Sequence, residues 1–306
     1  MSRFLSRYIA VLALLLAVLL WSSSFIALKI SMAVYDPTVV IFGRMMLASL
    51  CFVFFIPGFR KQPIRKGDFK WLAIMAFCEP CMYFVFESHA LLHTSAAQAG
   101  MICATLPLLM AVSARFVLNE RLSRKTLTGF ILAVAGGIWL SLCSESTDSA
   151  PNPILGNFLE FLAMCCAVGY MTILKKMTAY YSALFLTAFQ AFMGAIFYLP
   201  LLVLPSTTMP TTFDPLALGM IIYLGICITL GAYGLYNFGM SKLPANQTSA
   251  FINLIPVFTL VLGWVILDER FTGIQFTAAA LVMTGVILSQ DRNRDRSDKD
   301  KAEAPV

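Results

Sequence analysis

The sequence predicts an all-α membrane protein: ten transmembrane helices arranged as two inverted five-helix repeats. Three observations predict it. Of 306 residues, 59% are apolar and only 12% are charged, about half the charged share of an ordinary soluble domain, and the mean hydropathy is +0.80. The charges cluster between long uncharged runs rather than along helix faces, as they do in a chain that crosses a bilayer many times. The chain also resembles itself at an offset of 149 residues. The net charge of +6 mostly counts loop lysines and arginines, so no nucleic-acid partner follows from it.

A hydrocarbon core of about 30 Å takes about 20 residues at roughly 1.5 Å each. Cutting the chain where charges and turn residues interrupt gives spans from Tyr8 to Leu28, Thr38 to Pro57, Trp71 to His89, Ala96 to Val117 and Leu127 to Cys143. The second five run from Ile154 to Leu174, Ser182 to Leu204, Leu216 to Ser241, Gln247 to Leu267 and Phe271 to Gln290. Arg3 and Arg7 give the first span the flank of a signal peptide, but its uncharged run is long and no A-x-A cleavage site follows. It is read as a retained helix. The eight cysteines fall in or beside apolar runs, where they act as small hydrophobes, and no disulfide framework is expected.

Threading these spans with the amino terminus inside puts 18 of the 22 lysines and arginines on the cytoplasmic side. Arg270 falls outside, Lys29 stands near the outer end of the first span, and Arg44 and Arg115 lie within spans. The positive-inside rule therefore selects both termini in, as for a multi-pass protein of a bacterial inner membrane. Arg115, near a cytoplasmic end, is expected to snorkel. Residues 291–306 mix acids and bases with almost no apolar content and read as a disordered cytoplasmic tail.

The offset of 149 superimposes Asn119-Glu120-Arg121 on Asp268-Glu269-Arg270 and Pro107 on Pro256. Without a gap it also pairs Ala96 with Ala245, Gln98 with Gln247, Leu118 with Leu267, Thr128 with Thr277 and Gly136 with Gly285. Each half, residues 1–146 and 147–290, then holds five helices, and an odd number inserts the second copy upside down. Inverted repeats mark carriers that work by alternating access around a midplane site. Pro107 and Pro256 fall mid-helix at matched positions and are hinge candidates, with a static kink as the alternative.

The run Trp21-Ser22-Ser23-Ser24-Phe25, the triplet Phe42-Gly43-Arg44 and the twice-repeated order of Pro, (Asn/Asp)-Glu-Arg and Gly resemble EamA-type members of the drug/metabolite transporter superfamily. The resemblance covers residues 8 to 290. It implies a ten-helix carrier, many of whose relatives export amino acids or related metabolites, and leaves the substrate open. The first motif departs from the second only in having Asn119 where Asp268 stands.

A charged side chain at the bilayer centre costs about 3 to over 10 kcal/mol, so each intramembrane ionisable group is a candidate site. These are Arg44, Glu79, Glu87 and Glu160. Glu79 lies some nine residues into the third span, roughly 13 Å deep, and Tyr83 and Glu87 follow at i+4 and i+8 on the same face. Glu79 is the candidate for proton coupling. A fixed substrate contact and a structural acid are the other two readings. Arg44 either holds a substrate carboxylate, which a guanidinium meets with paired bonds, or is a structural clasp neutralised by Glu160 at similar depth.

Trp21, Ser22 and Ser24 combine an aromatic wall with hydroxyls at mid-membrane depth, and Tyr170 is the counterpart of Trp21 at the same offset. Such walls with few polar groups suit small-molecule pockets, whereas small residues also serve helix packing. Gln190, Tyr233, Tyr236 and Asn237 are further polar candidates, each weighed more as a packing contact than as a ligand contact. Cys78-Glu79-Pro80-Cys81 has C-x-x-C spacing, but a midplane helix offers no accessible thiolate. His89 and His93 stand at i and i+4 without a clear third ligand, so no metal is expected.

No phosphate-binding G-x-x-x-x-G-K-[ST] loop occurs, nor H-E-x-x-H or G-x-S-x-G. No cofactor and no enzymatic activity are expected. The expected function is export of a small amphipathic metabolite, an amino acid or derivative, driven by a substrate gradient or by protons. Proton-coupled efflux of lipophilic cationic drugs comes second. A channel, a membrane scaffold or an intramembrane enzyme stand further back. The expected partners are the small-molecule substrate and membrane lipid, for a monomer or homodimer.

Overall fold

A computed structural model of the chain describes residues 2–55, 64–117, 124–243, 248 and 251–289. Among these the only non-helical pairing is an isolated bridge between Thr147 and Ala150. In chain order the helices are α1 Ser2–Met32, α2 Pro37–Val53, α3 Asp68–His93, α4 in two segments Ala96–Cys103 and Leu106–Val117, and α5 Arg124–Leu142. They continue as α6 Pro153–Met177, α7 Ala183–Tyr198, α8 Pro215–Lys242 and α9 Phe251–Leu267, and α10 Gly273–Ser289. Among the described residues six helices are long and apolar enough to cross a membrane, and four shorter apolar helices accompany them.

The helix starts are written in local chemistry. Asp36, Asn152 and Asp214 each stand one residue before a proline, and their side chains accept first-turn amides of Thr38 (2.8 Å), Leu155 (3.2 Å) and Ala217 (2.7 Å). The proline fixes φ where its missing N–H costs no bond, and the preceding side chain satisfies an amide that would otherwise lack a partner. Ser95 and Ser182 cap α4 and α7 in the same way.

Two helices depart from regular winding at matching places. Phe77–Met82 in α3 and Leu224–Ala232 in α8 are π-helical, and the offset of 149 carries the first stretch into the second. The sequence reads Pro107 and Pro256 as kinks inside continuous helices, and here the structure differs. Pro107 is the second residue of the segment Leu106–Val117, after a break at Ala104 and Thr105. Pro256 is the second residue of the α-helix Ile255–Leu267, after a 3-10 turn Phe251–Leu254. At a segment start proline removes no helical hydrogen bond, so both sit at natural joints.

Packing is symmetric under exchange of the halves. α2 pairs with α7, α4 with α9 and α5 with α10; α1 packs on α8 as α6 packs on α3, and α1 on α9 as α6 on α4. The α5–α10 contact repeats this at the level of atoms. A Cβ at Gly136 would stand 2.8 Å from the backbone N of Val282 and 3.0 Å from the Ala278 carbonyl, and one at Gly285 2.6 Å from the N of Ala133 and 2.5 Å from the Gly129 carbonyl. Ala133 and Gly129 are the offset partners of Val282 and Ala278, so one contact is built twice about a two-fold axis. The outward faces carry exposed Ile131, Ile138, Trp139, Trp264 and Ile266, as surfaces that meet lipid tails require.

The first copy of the Glu-Arg motif (119–121), Ala245, Gln247, Arg60, Lys61, the tail 291–306 and the side chain of Arg115 lie outside the described residues. Gly285→Ala and Gly136→Ala are each expected to destabilise the protein by about 1–3 kcal/mol, because backbone must move to admit the methyl. Gly219→Ala, which meets nothing within 4 Å, should cost no stability. Thermal unfolding in detergent measures all three.

Candidate functional site

The site begins with a broken helix. Within α3, Glu79 leaves helical geometry altogether, with φ −148° and ψ 118°, and Pro80 follows without an N–H. Carbonyls freed by such a break need partners when no water is at hand, and α7 supplies them. Gln190 donates its amide to the Glu79 carbonyl at 3.1 Å, and the Tyr198 hydroxyl donates to the Cys81 carbonyl at 2.8 Å. With its backbone held from one side, Glu79 turns its carboxyl into a cavity on the other.

There Oε1 accepts the hydroxyl of Tyr233, the first residue after the π-helical stretch of α8, while Oε2 has no partner. Tyr83 and Glu87 line the same cavity, and the Tyr83 hydroxyl donates to Glu87 at 2.9 Å. The three α3 residues therefore share a face, as their spacing predicts, although the helix between them is irregular. Glu160 is buried behind this wall; Cys103 Sγ donates to its Oε1 at 3.6 Å, and its Oε2 is unpartnered.

Arg44 of α2 enters the cavity with a side chain 1% exposed. Its Nε donates to Thr229 Oγ1 at 3.1 Å, and its guanidinium carbon lies 4.2 Å from the Phe84 ring centroid. Nη1 has no partner. Arg44 forms no ion pair with Glu160, so that form of the structural clasp is not what the structure holds. Its charge acts instead on Glu79 and Glu87, and face-on aromatic contact gives it partial compensation.

Trp21 closes the cavity with its ring 5.2 Å from Tyr233 and 4.7 Å from Tyr236, and its indole N–H is unpartnered. Ser24 also lines it, its hydroxyl donating to the Trp21 carbonyl at 2.7 Å. The structure thus brings Trp21, Ser24, Arg44, Glu79 and Tyr83 together. Ser22 does not join them: its hydroxyl donates to the Val18 carbonyl at 2.8 Å within α1. Tyr170, Asn237 and Gln190 form a second tier. The Tyr170 hydroxyl donates to Asn237 Oδ1 at 2.7 Å, and Asn237 Nδ2 reaches Thr187 at 2.8 Å and Gln190 at 3.3 Å. Tyr236 is buried against Trp21 and donates to Met171 Sδ at 3.4 Å.

Tyr233 and Phe84 are the residues that sequence reasoning undervalued. Their signal lies in the repeat, because 84 and 233 are offset partners, and the two rings meet in the cavity 6.4 Å apart at 79°. Space open to the centres of water molecules is ≈ 40 Å³, enough for about three waters. In this state the cavity is too small for a molecule the size of an amino acid. Among the described residues no group of three His, Cys, Asp or Glu side chains converges as a metal site, and His89 Nδ1 donates to the Val85 carbonyl at 2.8 Å.

Comparison with known proteins agrees with this architecture. The profile of the EamA-like transporter family matches twice, over residues 8–142 and 154–290. The "probable amino-acid metabolite efflux pump" of Escherichia coli is 27% identical over 93% of this chain and 95% of its own length. The "probable terminal-alkyne amino-acid exporter" of Streptantibioticus cattleyicolor is 23% identical over 94% and 95%. An "uncharacterized transporter YetK" of Bacillus subtilis is 26% identical over 74% and 69%. A crystal structure 19% identical superimposes over 96% of this chain and 99% of its own with a TM-score of 0.64, which speaks for the fold. With a broken-helix cavity between two matching halves, each matched by one copy of the profile, the chain belongs to the EamA-like transporter family.

Proposed function

We propose that this transporter exports a small amphipathic metabolite, an amino acid or derivative, by alternating access around the cavity between α2, α3 and α8. One observation carries the reading. Arg44 Nη1 and Glu79 Oε2, a cationic donor and an acidic acceptor, are both buried without a partner and line the same cavity. A zwitterion supplies both missing partners at once: its carboxylate suits the guanidinium and its ammonium the carboxyl. Leaving such atoms unpartnered costs about 1–3 kcal/mol each, an expense a carrier recovers when substrate binds. The names of the Escherichia coli and Streptantibioticus relatives support amino-acid chemistry.

In this reading all ten helices span an inner membrane, residues 1–146 and 147–290 are inverted repeats, both termini face the cytoplasm, and the joints at Pro107 and Pro256 serve as hinges. Glu79 binds a proton when the cavity is closed and releases it when water reaches the site from one side. The water-sized cavity of the closed state must widen for substrate, which is the work of the hinges. Efflux of lipophilic cations is the second reading, favoured by two carboxyls against one guanidinium and by the walls of Trp21, Phe84 and Tyr233.

Three measurements test this. Glu79→Gln keeps shape but removes the proton, so reconstituted carriers should lose concentrative uptake against a gradient, and its pH dependence, while retaining equal exchange of labelled substrate. Unchanged concentrative transport would remove Glu79 from coupling. Arg44→Lys should weaken zwitterion transport about tenfold or more in apparent affinity, as the loss of a paired charge-assisted contact implies, and leave a lipophilic cation unaffected; the opposite ranking favours the second reading. A cysteine introduced at the exposed Ser149 should react with an impermeant thiol reagent from outside intact cells, and protection there would reverse the topology.

A further inference from the structure

We propose that Glu269 is a latch between the two halves that keeps the cavity shut at one end of the molecule; this rests on the alternating-access function proposed above. Glu269 lies in the turn after α9, next to Asp268, which ends that helix with φ 52°. Its Oε1 accepts the amide of Ala96 at 2.8 Å and its Oε2 the amide of Ala97 at 2.9 Å. Both carboxylate oxygens are thus spent on the first turn of α4, where amides lack helical partners and the helix dipole favours negative charge.

Surrounding structure holds the carboxylate in this position. The Glu269 amide donates to the Gly263 carbonyl at 3.1 Å. A Cβ at Gly263 would stand 2.8 Å from Glu269 Oε2, so a side chain there would push the carboxylate from this position. Lys29 of α1 acts on Glu269 by its charge and donates to the Ser149 carbonyl at 2.5 Å. Arg270, the other charged member of the repeated motif, is spent on Asp268 at 3.0 Å, and both are largely exposed. Glutamate is the member that joins the halves.

Ser95 caps α4 from its own half but takes only the Gln98 amide, at 3.1 Å, which leaves the Ala96 and Ala97 amides to the other half. A carboxylate delivered by the opposite half stabilises this end only while α4 and α9 stay together. Ala96 is seven residues ahead of Cys103, about 10 Å along the helix, and Cys103, Leu106, Ile252 and Ile255 of the same helix pair line the cavity. Parting α4 from the α9 turn therefore opens the cavity at this end. Two charge-assisted bonds are exchanged for water on both partners, a reversible trade suited to a gate.

The test uses the full-length carrier with Cys103 as its sole cysteine, in oriented membranes, and a small impermeant thiosulfonate added on the side of Ser149. Glu269→Ala should raise the labelling rate of Cys103 about tenfold, the ratio that ~1.4 kcal/mol of bias between two states supplies. Gly263→Ala displaces the carboxylate without removing it and should shift labelling in the same direction. Arg270→Ala should label at the parental rate. A Glu269→Ala or Gly263→Ala protein that transports but labels at the parental rate, even with lowered thermal stability, would overturn the latch and leave a cap alone. Absence of substrate flux in the parental carrier would instead overturn the transport reading, whatever the labelling shows.

Discussion

Every polar backbone atom that a buried helix releases must find a partner inside the protein, and in this molecule that constraint is concentrated at Glu79 and Pro80. Once α3 loses its winding there, carbonyls on one side need donors and a carboxyl on the other needs a cavity. Gln190 and Tyr198 answer the first need, and Asn237 and Tyr170 hold Gln190 in turn. Polar side chains that look like ligands in the sequence are thereby committed to the backbone. The cavity is left with Arg44, Glu79, Glu87, Tyr83 and Tyr233 as its main polar groups, beside Ser24 and the Cys103 thiol and against the aromatic wall of Trp21 and Phe84. Buried networks of this kind hold their members in one geometry when each is satisfied, and the exceptions in the cavity, Arg44 Nη1, Glu79 Oε2 and Trp21 Nε1, are therefore the informative atoms.

The scaffold around them is far more symmetric than the chemistry. Gly136 and Gly285 build the α5–α10 contact twice, π-helical stretches recur in α3 and α8, and Pro107 and Pro256 open matching segments. Yet the offset partners of Arg44, Glu79 and Glu87 are Met193, Ile228 and Tyr236. The second half contributes walls and one hydroxyl, that of Tyr233, while the first contributes the charges. In the alternating-access reading proposed above, duplicated packing would keep two conformations close in energy, and a single set of charges would give the substrate one place to bind. Both are needed by a device that moves its contacts but not its site.

Much of this was legible in the chain because repetition survives in spacing. The span pattern, the offset of 149 and the shared face of Glu79, Tyr83 and Glu87 follow from counting. What counting could not supply is the direction of a side chain on an irregular helix. Ser22 and Ser24 differ by two residues and both bond a carbonyl inside their helix, yet only Ser24 lines the cavity. Glu160 and Arg44 share a depth but not a neighbour, since Cys103 stands beside the acid and Phe84 beneath the guanidinium. Tyr233 reads more as a packing contact than as a site residue because a tyrosine in an apolar helix is ordinary. Its pairing with Phe84 across the repeat was the available signal.

Seen from the membrane, the placement of charge follows one rule. Side chains facing outward on α5, α9 and α10 are mostly apolar, with exposed Thr128, Thr277 and Thr284 among the polar exceptions, and Arg44, Glu79, Glu87 and Glu160 point into the bundle, where each meets a hydroxyl, a thiol or a ring. Arg44 illustrates the logic. A guanidinium in hydrocarbon is costly, a tight ion pair would fix it permanently, and the contacts it has, Thr229 and the face of Phe84, compensate it only in part. Partial compensation leaves the buried Nη1 without a partner. A fully paired arginine would have nothing left for a ligand, whereas the incomplete pairing leaves Arg44 Nη1 open in the cavity, the feature on which the proposed zwitterion site draws.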